Sequence, residues 1–290
     1  MKEFEIKDVG PVDLMLGIKV THSTDYVSLD PQHFTKCLLE IYGMISCNSV
    51  STPLVPNEHL SPALISEISD FGKLKVNFFS AVVSINYLSN ATRPNLLFAV
   101  STLSQYLENP GTPQWKAFLD VLKYLKGTQD LGLTYPRGIN VGILASSNND
   151  WGNCRVSQWS VVGFLATRQS TTLCVLTSEL LCLGKWCPEC NIIRLDNPVP
   201  IHEDNQSCIN VVKGDCNLNN KLMKNVDIQL HFIKEAVSKT FIKSKYTPTV
   251  NMLADILAKS VSRPILTNVL NSLGVLRLGE RGDVEHSNTN

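Results

Sequence analysis

The stretch ILASSNNDWGNC, residues 143–154, decides how the second half of the chain is interpreted. A short apolar run leads into small polar residues and ends on Asp150-Trp151-Gly152, which is typical of a β-strand that delivers polar side chains to its tip. Acidic strand ends are places where α/β proteins bind divalent ions. The stretch therefore indicates either a metal-binding strand end or the remains of one.

The sequence that follows this strand alternates short apolar runs with segments of helical periodicity. Strands are predicted in GLTY, VGILASS, PVPIHED and TFIKSKYT, and helices in LTSELLCLGKWC, NQSCINVVKG, MKNVDIQLHFIKEAVSK and NMLADILAKSV. This alternation predicts an α/β (α+β) fold. We place this domain at residues 140–275, after a boundary near 136–140, and a polar tail at 276–290.

The sequence before the strand predicts a β-hairpin and several helices. VDLMLGIKVTHSTDYVSLD contains two β-rich runs joined by a polar turn at residues 22–25, and a helix follows that ends at Gly43. These elements make up a first unit, residues 1–55. Residues 48–72 have the composition of an extended linker.

The second unit, residues 56–136, comprises the end of this linker and a helical region. Residues 73–108 are predicted to be helical with an interruption at Arg93-Pro94. The clearest helix is GTPQWKAFLDVLKYLKGT, where Thr112 is the expected cap and Gly127 the expected end. Its apolar stripe indicates core packing.

Composition indicates an intracellular protein, cytoplasmic or nuclear, without a membrane partner. The 290 residues are 43% hydrophobic, and 26 basic side chains balance 26 acidic ones. Because the net charge is zero, attraction to nucleic acid must come from local patches. The nine cysteines fit reduced thiols. Cys187 and Cys190 have the spacing of zinc ligands, but a single pair is a weak signal.

Three acids stand where an α/β fold brings side chains together. Asp204 closes a predicted strand, Glu179 lies in a predicted helix, and Asp255 lies in the last predicted helix. Converging carboxylates hold pairs of divalent ions that act on phosphodiesters, and Mg²⁺ prefers such oxygen ligands. Taken singly, each acid is better explained as a solvated side chain or a cap.

The order of motifs along residues 3–275 resembles the C-terminal part of the Pol polyprotein of copia-type long-terminal-repeat retrotransposons. The stretches that carry the resemblance are FEIKDVGPVDLMLGIKV, LLEIYGMISCNSVSTPL, the run from VVSINYLSNATRPN to DLGLTY, DNQSCI, VDIQLHFIKEAV and LADILAKSV. The resemblance implies a reverse-transcriptase thumb or connection remnant, hairpin plus helices. A ribonuclease H-like mixed sheet with flanking helices is expected to follow.

The resemblance also implies site residues and partners. Members of the family use four acids and two Mg²⁺ ions to cut RNA paired with DNA. By position, Glu179, Asp204 and Asp255 are the expected catalytic and metal-binding acids. The first acid of the set is replaced by Asn148. The expected partner is an RNA/DNA hybrid, with no small-molecule substrate; the oligomeric state stays open.

Three departures from the family pattern lead us to expect that the nuclease is impaired and that the chain has no polymerase activity of its own. Asn148 brings no charge, and Asp150 lies about 6.6 Å further along the strand, too far for more than weak binding of one ion. The stretch GFLATRQSTTLCVLTSE is about ten residues shorter than expected, which predicts a narrowed or re-registered sheet and a displaced Glu179. No Tyr/Phe-x-Asp-Asp polymerase motif occurs in the chain.

A weak nucleic-acid patch is predicted from five lysines, Lys221, Lys224, Lys234, Lys243 and Lys245. Solvated faces explain these lysines equally well. The leading hypothesis is a degenerate Pol fragment with an impaired nuclease. The alternatives are a residual Mg²⁺-dependent ribonuclease H and a noncatalytic nucleic-acid-binding protein.

Overall fold

The computed structural model describes most of the chain as helices and two β-sheets. The described residues are 10–56, 58–137, 143–150, 161–168, 171–177, 198–213 and 234–278. The predicted α/β class is confirmed, since helices accompany an antiparallel sheet and a sheet with parallel pairs. No described helix is both long and apolar enough to cross a membrane.

The first sheet is antiparallel throughout and has five strands in the order β1-β2-β3-β4-β10. Their bounds are β1 (Leu14–Met15), β2 (Ile18–His22), β3 (Tyr26–Asp30), β4 (Leu131–Pro136) and β10 (Val275–Arg277). The predicted hairpin is confirmed as β2 and β3. The first β-rich run also turns at Leu16-Gly17, where both residues have positive φ, 51° and 82°.

The second sheet is mixed and has five strands in the order β7-β6-β5-β8-β9. Their bounds are β5 (Ile143–Asp150), β6 (Val161–Arg168), β7 (Thr171–Thr177), β8 (Val199–Glu203) and β9 (Ile242–Tyr246). β5, β6 and β7 pair antiparallel, whereas β8 and β9 run parallel to β5. This is the mixed sheet that the resemblance predicts.

The sequence predicted a narrowed or re-registered sheet, and the structure agrees with the second alternative. The short stretch after Gly163 still forms two strands, β6 and β7, which pair from Gly163↔Thr177 to Arg168↔Thr171. Their register shifts between Ala166 and Thr167. Such an irregularity lets two strands of unequal length keep most of their ladder hydrogen bonds.

Eight α-helices are bounded within the described residues: α1 (Gln32–Ile41), α2 (Ile65–Lys73), α3 (Phe78–Ala91), α4 (Leu97–Ser104), α5 (Thr112–Gly127), α6 (Gln206–Lys213), α7 (Asp255–Ala258) and α8 (Arg263–Ser272). Residues 234–238 are also helical. The predicted stop of α1 is confirmed, because Gly43 has φ 66° and its N–H bonds the Glu40 carbonyl at 3.1 Å.

The sequence analysis misplaced three helix features. Residues 65–73 form α2 instead of a linker, because Phe71 anchors them against Phe78 and Trp115. Thr112 is the first residue of α5, whereas Gly111 is its cap, with its N–H bonded to the Gln114 side chain at 3.0 Å. The last helix is α8, which follows the stretch NMLADILAKSV that was predicted to be the last helix.

The main hydrophobic core lies among α3, α4 and α5 and includes the C-terminal segment from Met252 to Val275. Phe118, Leu122, Ile85 and Leu103 are fully buried. Because α8 and β10 complete this core, the C-terminal residues of the chain pack against its N-terminal half. The domain boundaries drawn from the sequence stay a prediction.

Helix α7 positions the candidate site, because it lies between the two parts of the fold. It contacts α4 on one side and strands β5 and β6 of the mixed sheet on the other. All four of its residues are buried. A short helix packed on both sides leaves its first residue, Asp255, little freedom to move.

Candidate functional site

The parallel pairing of β5 with β8 brings two predicted site residues to one sheet edge. Ala145 pairs with Ile201 and Ser146 with His202, so the carboxyl ends of both strands meet. Two residues beyond the second pair stand Asn148, near the end of β5, and Asp204, directly after β8. Residues two apart share a face, which places Asn148 and Asp204 on the same side of the sheet.

Helix α7 adds the third residue of the site. The Asn148 side-chain N–H donates a hydrogen bond to the Asp255 carboxylate. Both residues are buried, with 8% of Asn148 and 3% of Asp255 exposed. The two side chains are therefore bonded to each other: Asn148, which the resemblance places at the position of the first acid, donates a hydrogen bond to Asp255.

Two further side chains engage the carboxylates. Lys259, one turn after Asp255, places Nζ 2.8 Å from its Oδ2, so both oxygens of Asp255 have partners. The Thr249 hydroxyl donates to Asp204 Oδ2 at 2.7 Å. We name Asn148, Asp204, Asp255 and Lys259 the Asn148 site.

Opposing influences set the charge of Asp255. Burial raises the pKa of this carboxyl above its ordinary value, and the nearby negative charge of Asp204 raises it further. The hydrogen bonds from Lys259 and Asn148 and the positive charge of Lys259 lower it. The pKa remains raised, so the site tolerates a buried carboxylate only with its two donors in place.

A second acid, Glu203, lies on the other face of the sheet. The Ser147 hydroxyl donates to Glu203 Oε2 at 2.6 Å, and these two residues alternate with Asn148 and Asp204 along their strands. Burial raises the pKa of Glu203, against the bond from Ser147 that lowers it. Glu203 is therefore not an additional ligand on the Asn148 face.

Several predicted residues fall outside the described part of the chain. These are Glu179, Lys221, Lys224 and the pair Cys187 and Cys190. Asp150 is the last residue of β5, two positions beyond Asn148. Lys234 lies in the helical stretch 234–238, and Lys243 and Lys245 are exposed on β9.

The described residues of the Asn148 site do not fit a pair of Mg²⁺ ions. They supply two carboxylates, and every oxygen of Asp255 already accepts from a donor. Two Mg²⁺ ions carry four positive charges, which two carboxylates offset only in part. Within the described ranges, no group of three or more His, Cys, Asp or Glu side chains is arranged to hold a metal ion.

The sequence analysis missed Lys259, Thr249 and Glu203. The spacing of Asp255 and Lys259 is that of an ion pair on one helix face, a signal that was present in DILAK. Thr249 is 45 residues from Asp204 in sequence, and no local pattern links the two.

Comparison with known proteins identifies relatives of the whole chain. A retrovirus-related Pol polyprotein from transposon RE2 of Arabidopsis thaliana is 26% identical over 96% of this chain and 20% of its own length. The counterpart from transposon TNT 1-94 of Nicotiana tabacum is 27% identical, over 90% of this chain and 21% of its own length. An uncharacterized mitochondrial protein of Arabidopsis thaliana is 37% identical, over 32% of this chain and 84% of its own length. No protein-family profile matches the chain.

The matches agree with the motif order and the mixed sheet. The chain belongs to the retrovirus-related Pol polyproteins of copia-type transposons. It spans about one fifth of the length of the Pol polyproteins it matches.

Proposed function

We propose that the chain is the connection and ribonuclease H region of a copia-type Pol polyprotein, degenerate at its nuclease site. Its Mg²⁺-dependent cleavage of RNA in RNA/DNA hybrids is impaired or lost. The observation that carries this proposal is the hydrogen bond from Asn148 to Asp255. Where the family has a carboxylate, this chain has an amide whose N–H is hydrogen-bonded to the neighbouring carboxylate.

The geometry supports impairment over residual activity for a chemical reason. An Asn side chain offers a metal only its neutral carbonyl oxygen. The Asn148 side-chain N–H donates to Oδ1 of Asp255, so an ion that takes this carboxylate oxygen as a ligand must displace the Asn148 donor. Losing a hydrogen bond to a buried charged group costs about 1.5–3 kcal/mol.

Cleavage of a labelled RNA/DNA hybrid in Mg²⁺ or Mn²⁺ tests the proposal. We expect only trace cleavage by the wild-type chain and at least tenfold more by Asn148→Asp, which restores an acid at the strand end. The matched control is the double variant Asn148→Asp/Asp204→Asn, which should return to the trace level. Strong wild-type cleavage that Asp204→Asn abolishes would refute impairment.

We also propose that the chain retains weak binding to hybrid phosphates through β9. This strand is at the edge of the mixed sheet, and Lys243 and Lys245 are exposed on one of its faces. Phe241 and Tyr246, which flank them, are 45% and 48% exposed. Lysines with neighbouring exposed aromatic rings favour phosphate contact and base stacking.

Salt-dependent titration of a fluorescent hybrid tests this second function. Replacing Lys243 and Lys245 together by Gln should lower the slope of log affinity against log salt by about 2. The matched control replaces Lys73 and Lys75, two exposed lysines at the end of α2, in the same way. Equal effects of the two double variants, or no binding at low salt, would argue against the edge-strand site.

A further inference from the structure

A concave site separate from the Asn148 site has no lining residue in the mixed sheet. It is an open cavity of about 700 Å³ lined by residues 49–51, the C-terminal end of α5, helix α8 and strand β10. A volume of this order accommodates a small organic molecule. Its walls come from sequence regions far apart, so the cavity exists only when α8 and β10 are folded onto the core.

The lining of the cavity combines apolar side chains, neutral polar side chains and two arginines. Val50, Leu131 and Leu270 are among the residues that line the walls. Arg263 and Arg277 also line it, whereas none of its described lining residues is acidic. Arg277 is paired with Asp130, but no carboxylate in the described part of the chain pairs with Arg263.

A buried arginine behind the wall adds to this positive charge. Arg93 is fully buried, and its guanidinium donates to the carbonyl oxygen of Thr128 at 2.9 Å and to its hydroxyl at 2.8 Å. It also donates to the Asn95 side-chain oxygen, at 3.3 Å. All of these acceptors are neutral, and Thr128 itself lines the cavity.

The cavity therefore has more positive than negative charge around it. Arg93, Arg263 and Arg277 stand against the single carboxylate of Asp130. Low-dielectric walls focus the field of such charges into the space between them. A buried cation without a carboxylate partner is costly, and an anion bound nearby reduces that cost.

We propose that this cavity binds a small amphipathic anion, with an apolar body against Val50 and Leu270 and a phosphate or carboxylate head beside Arg263. The apolar body loses contact with water along the leucine and valine walls. The head receives charge-assisted hydrogen bonds from Arg263, whose planar guanidinium matches both head groups. The site is independent of the nuclease proposal, because no residue of the Asn148 site lines it.

Calorimetric titration with four probes separates the parts of this proposal. Octyl phosphate and octanoate carry both the apolar body and a head group, octanol lacks the charge, and inorganic phosphate lacks the body. We expect octyl phosphate to bind at least tenfold more tightly than octanol or inorganic phosphate, with affinity falling as salt is added. The ratio of octyl phosphate to octanoate affinity identifies the preferred head.

Three variants of the full chain locate the binding. Arg263→Gln should weaken octyl phosphate binding about fivefold, whereas Arg137→Gln, an exposed arginine that does not line the cavity, should leave it unchanged. Val50→Trp puts a larger side chain at the wall against which the apolar body packs and should abolish binding; its urea midpoint checks that it remains folded. The proposal is overturned if octyl phosphate does not bind, if octanol or inorganic phosphate binds equally well, or if Arg137→Gln weakens binding as much as Arg263→Gln. Undiminished binding in the folded Val50→Trp variant overturns it as well.

Discussion

Replacing Asn148 by Asp is the perturbation that bears most directly on the site. The change exchanges a donor for a second carboxylate at a position that is 8% exposed and bonded to Asp255. The new carboxylate cannot donate to Asp255 at neutral pH. Asp255 then keeps Lys259 as its side-chain donor.

Two contributions set how far Asn148→Asp lowers the free energy of unfolding. Loss of a hydrogen bond to a charged group costs about 1.5–3 kcal/mol. Two like charges about 4 Å apart repel by about 4 kcal/mol at the effective dielectric of about 20 found near protein surfaces. A proton shared between the two carboxyl groups reduces this repulsion. We therefore expect Asn148→Asp to lower the free energy of unfolding by about 3–5 kcal/mol at neutral pH without metal. That is a large part of the roughly 5–15 kcal/mol by which domains are stable.

The sign of the pH dependence follows from linkage. The carboxyl pair has a raised folded-state pKa, so the folded chain binds more protons than the unfolded chain above about pH 4. The stability of Asn148→Asp should therefore be lost as pH rises through the raised pKa and recovered on acidification. A divalent ion between the two carboxylates replaces the proton, so Mg²⁺ or Mn²⁺ should restore stability at neutral pH.

Urea unfolding in EDTA and in Mg²⁺, at acidic and neutral pH, measures these effects. Asn148→Leu is the matched control, since it removes the same hydrogen bond without adding charge. It should be destabilised less at neutral pH, should recover less on acidification than Asn148→Asp, and should not be rescued by metal. The reasoning is refuted if Asn148→Asp is as stable as the wild type in EDTA at neutral pH, or if the Asp and Leu variants lose equal stability.

Three further predictions concern stability. The wild type should lose stability as pH rises above about 4, because the raised pKa of Asp255 makes the folded state bind an extra proton, and Asp255→Asn should abolish this loss. Urea midpoints across pH measure the difference. Asn95→Asp should raise the free energy of unfolding by about 1 kcal/mol by pairing buried Arg93, and an unchanged or lower midpoint contradicts this. Gly132→Ala should cost about 1–3 kcal/mol, because its Cβ would meet a β3 carbonyl oxygen at 2.5 Å; Gly72→Ala, which meets nothing within 4 Å, should cost nothing.

Strands and long helices were predictable from the sequence because each carries its own periodic signal. The period-2 runs predicted β2, β3, β8 and β9, and the apolar stripe of residues 112–127 predicted α5. Helix α2 was missed because one aromatic residue, Phe71, anchors it through tertiary contacts. Local patterns do not record partners that are distant in sequence.

The candidate site was predictable only in part, because some of its contacts join residues that are distant in sequence. The family resemblance placed Asn148 in one site with Asp204, and the parallel pairing of β5 with β8 agrees with it. The bond between Asn148 and Asp255 spans 107 residues and depends on how α7 packs between the helical core and the sheet. No spacing rule in the sequence encodes that packing.

The number of Mn²⁺ ions bound to the folded chain tests the central claim most directly. Electron paramagnetic resonance can count free and bound Mn²⁺ in titrations of the wild type, Asn148→Asp and Asn148→Asp/Asp204→Asn. We predict that the wild type binds fewer than two ions at millimolar Mn²⁺, that Asn148→Asp gains affinity, and that the double variant loses this gain. Two tightly bound ions in the wild type, released by Asp204→Asn, would contradict the account.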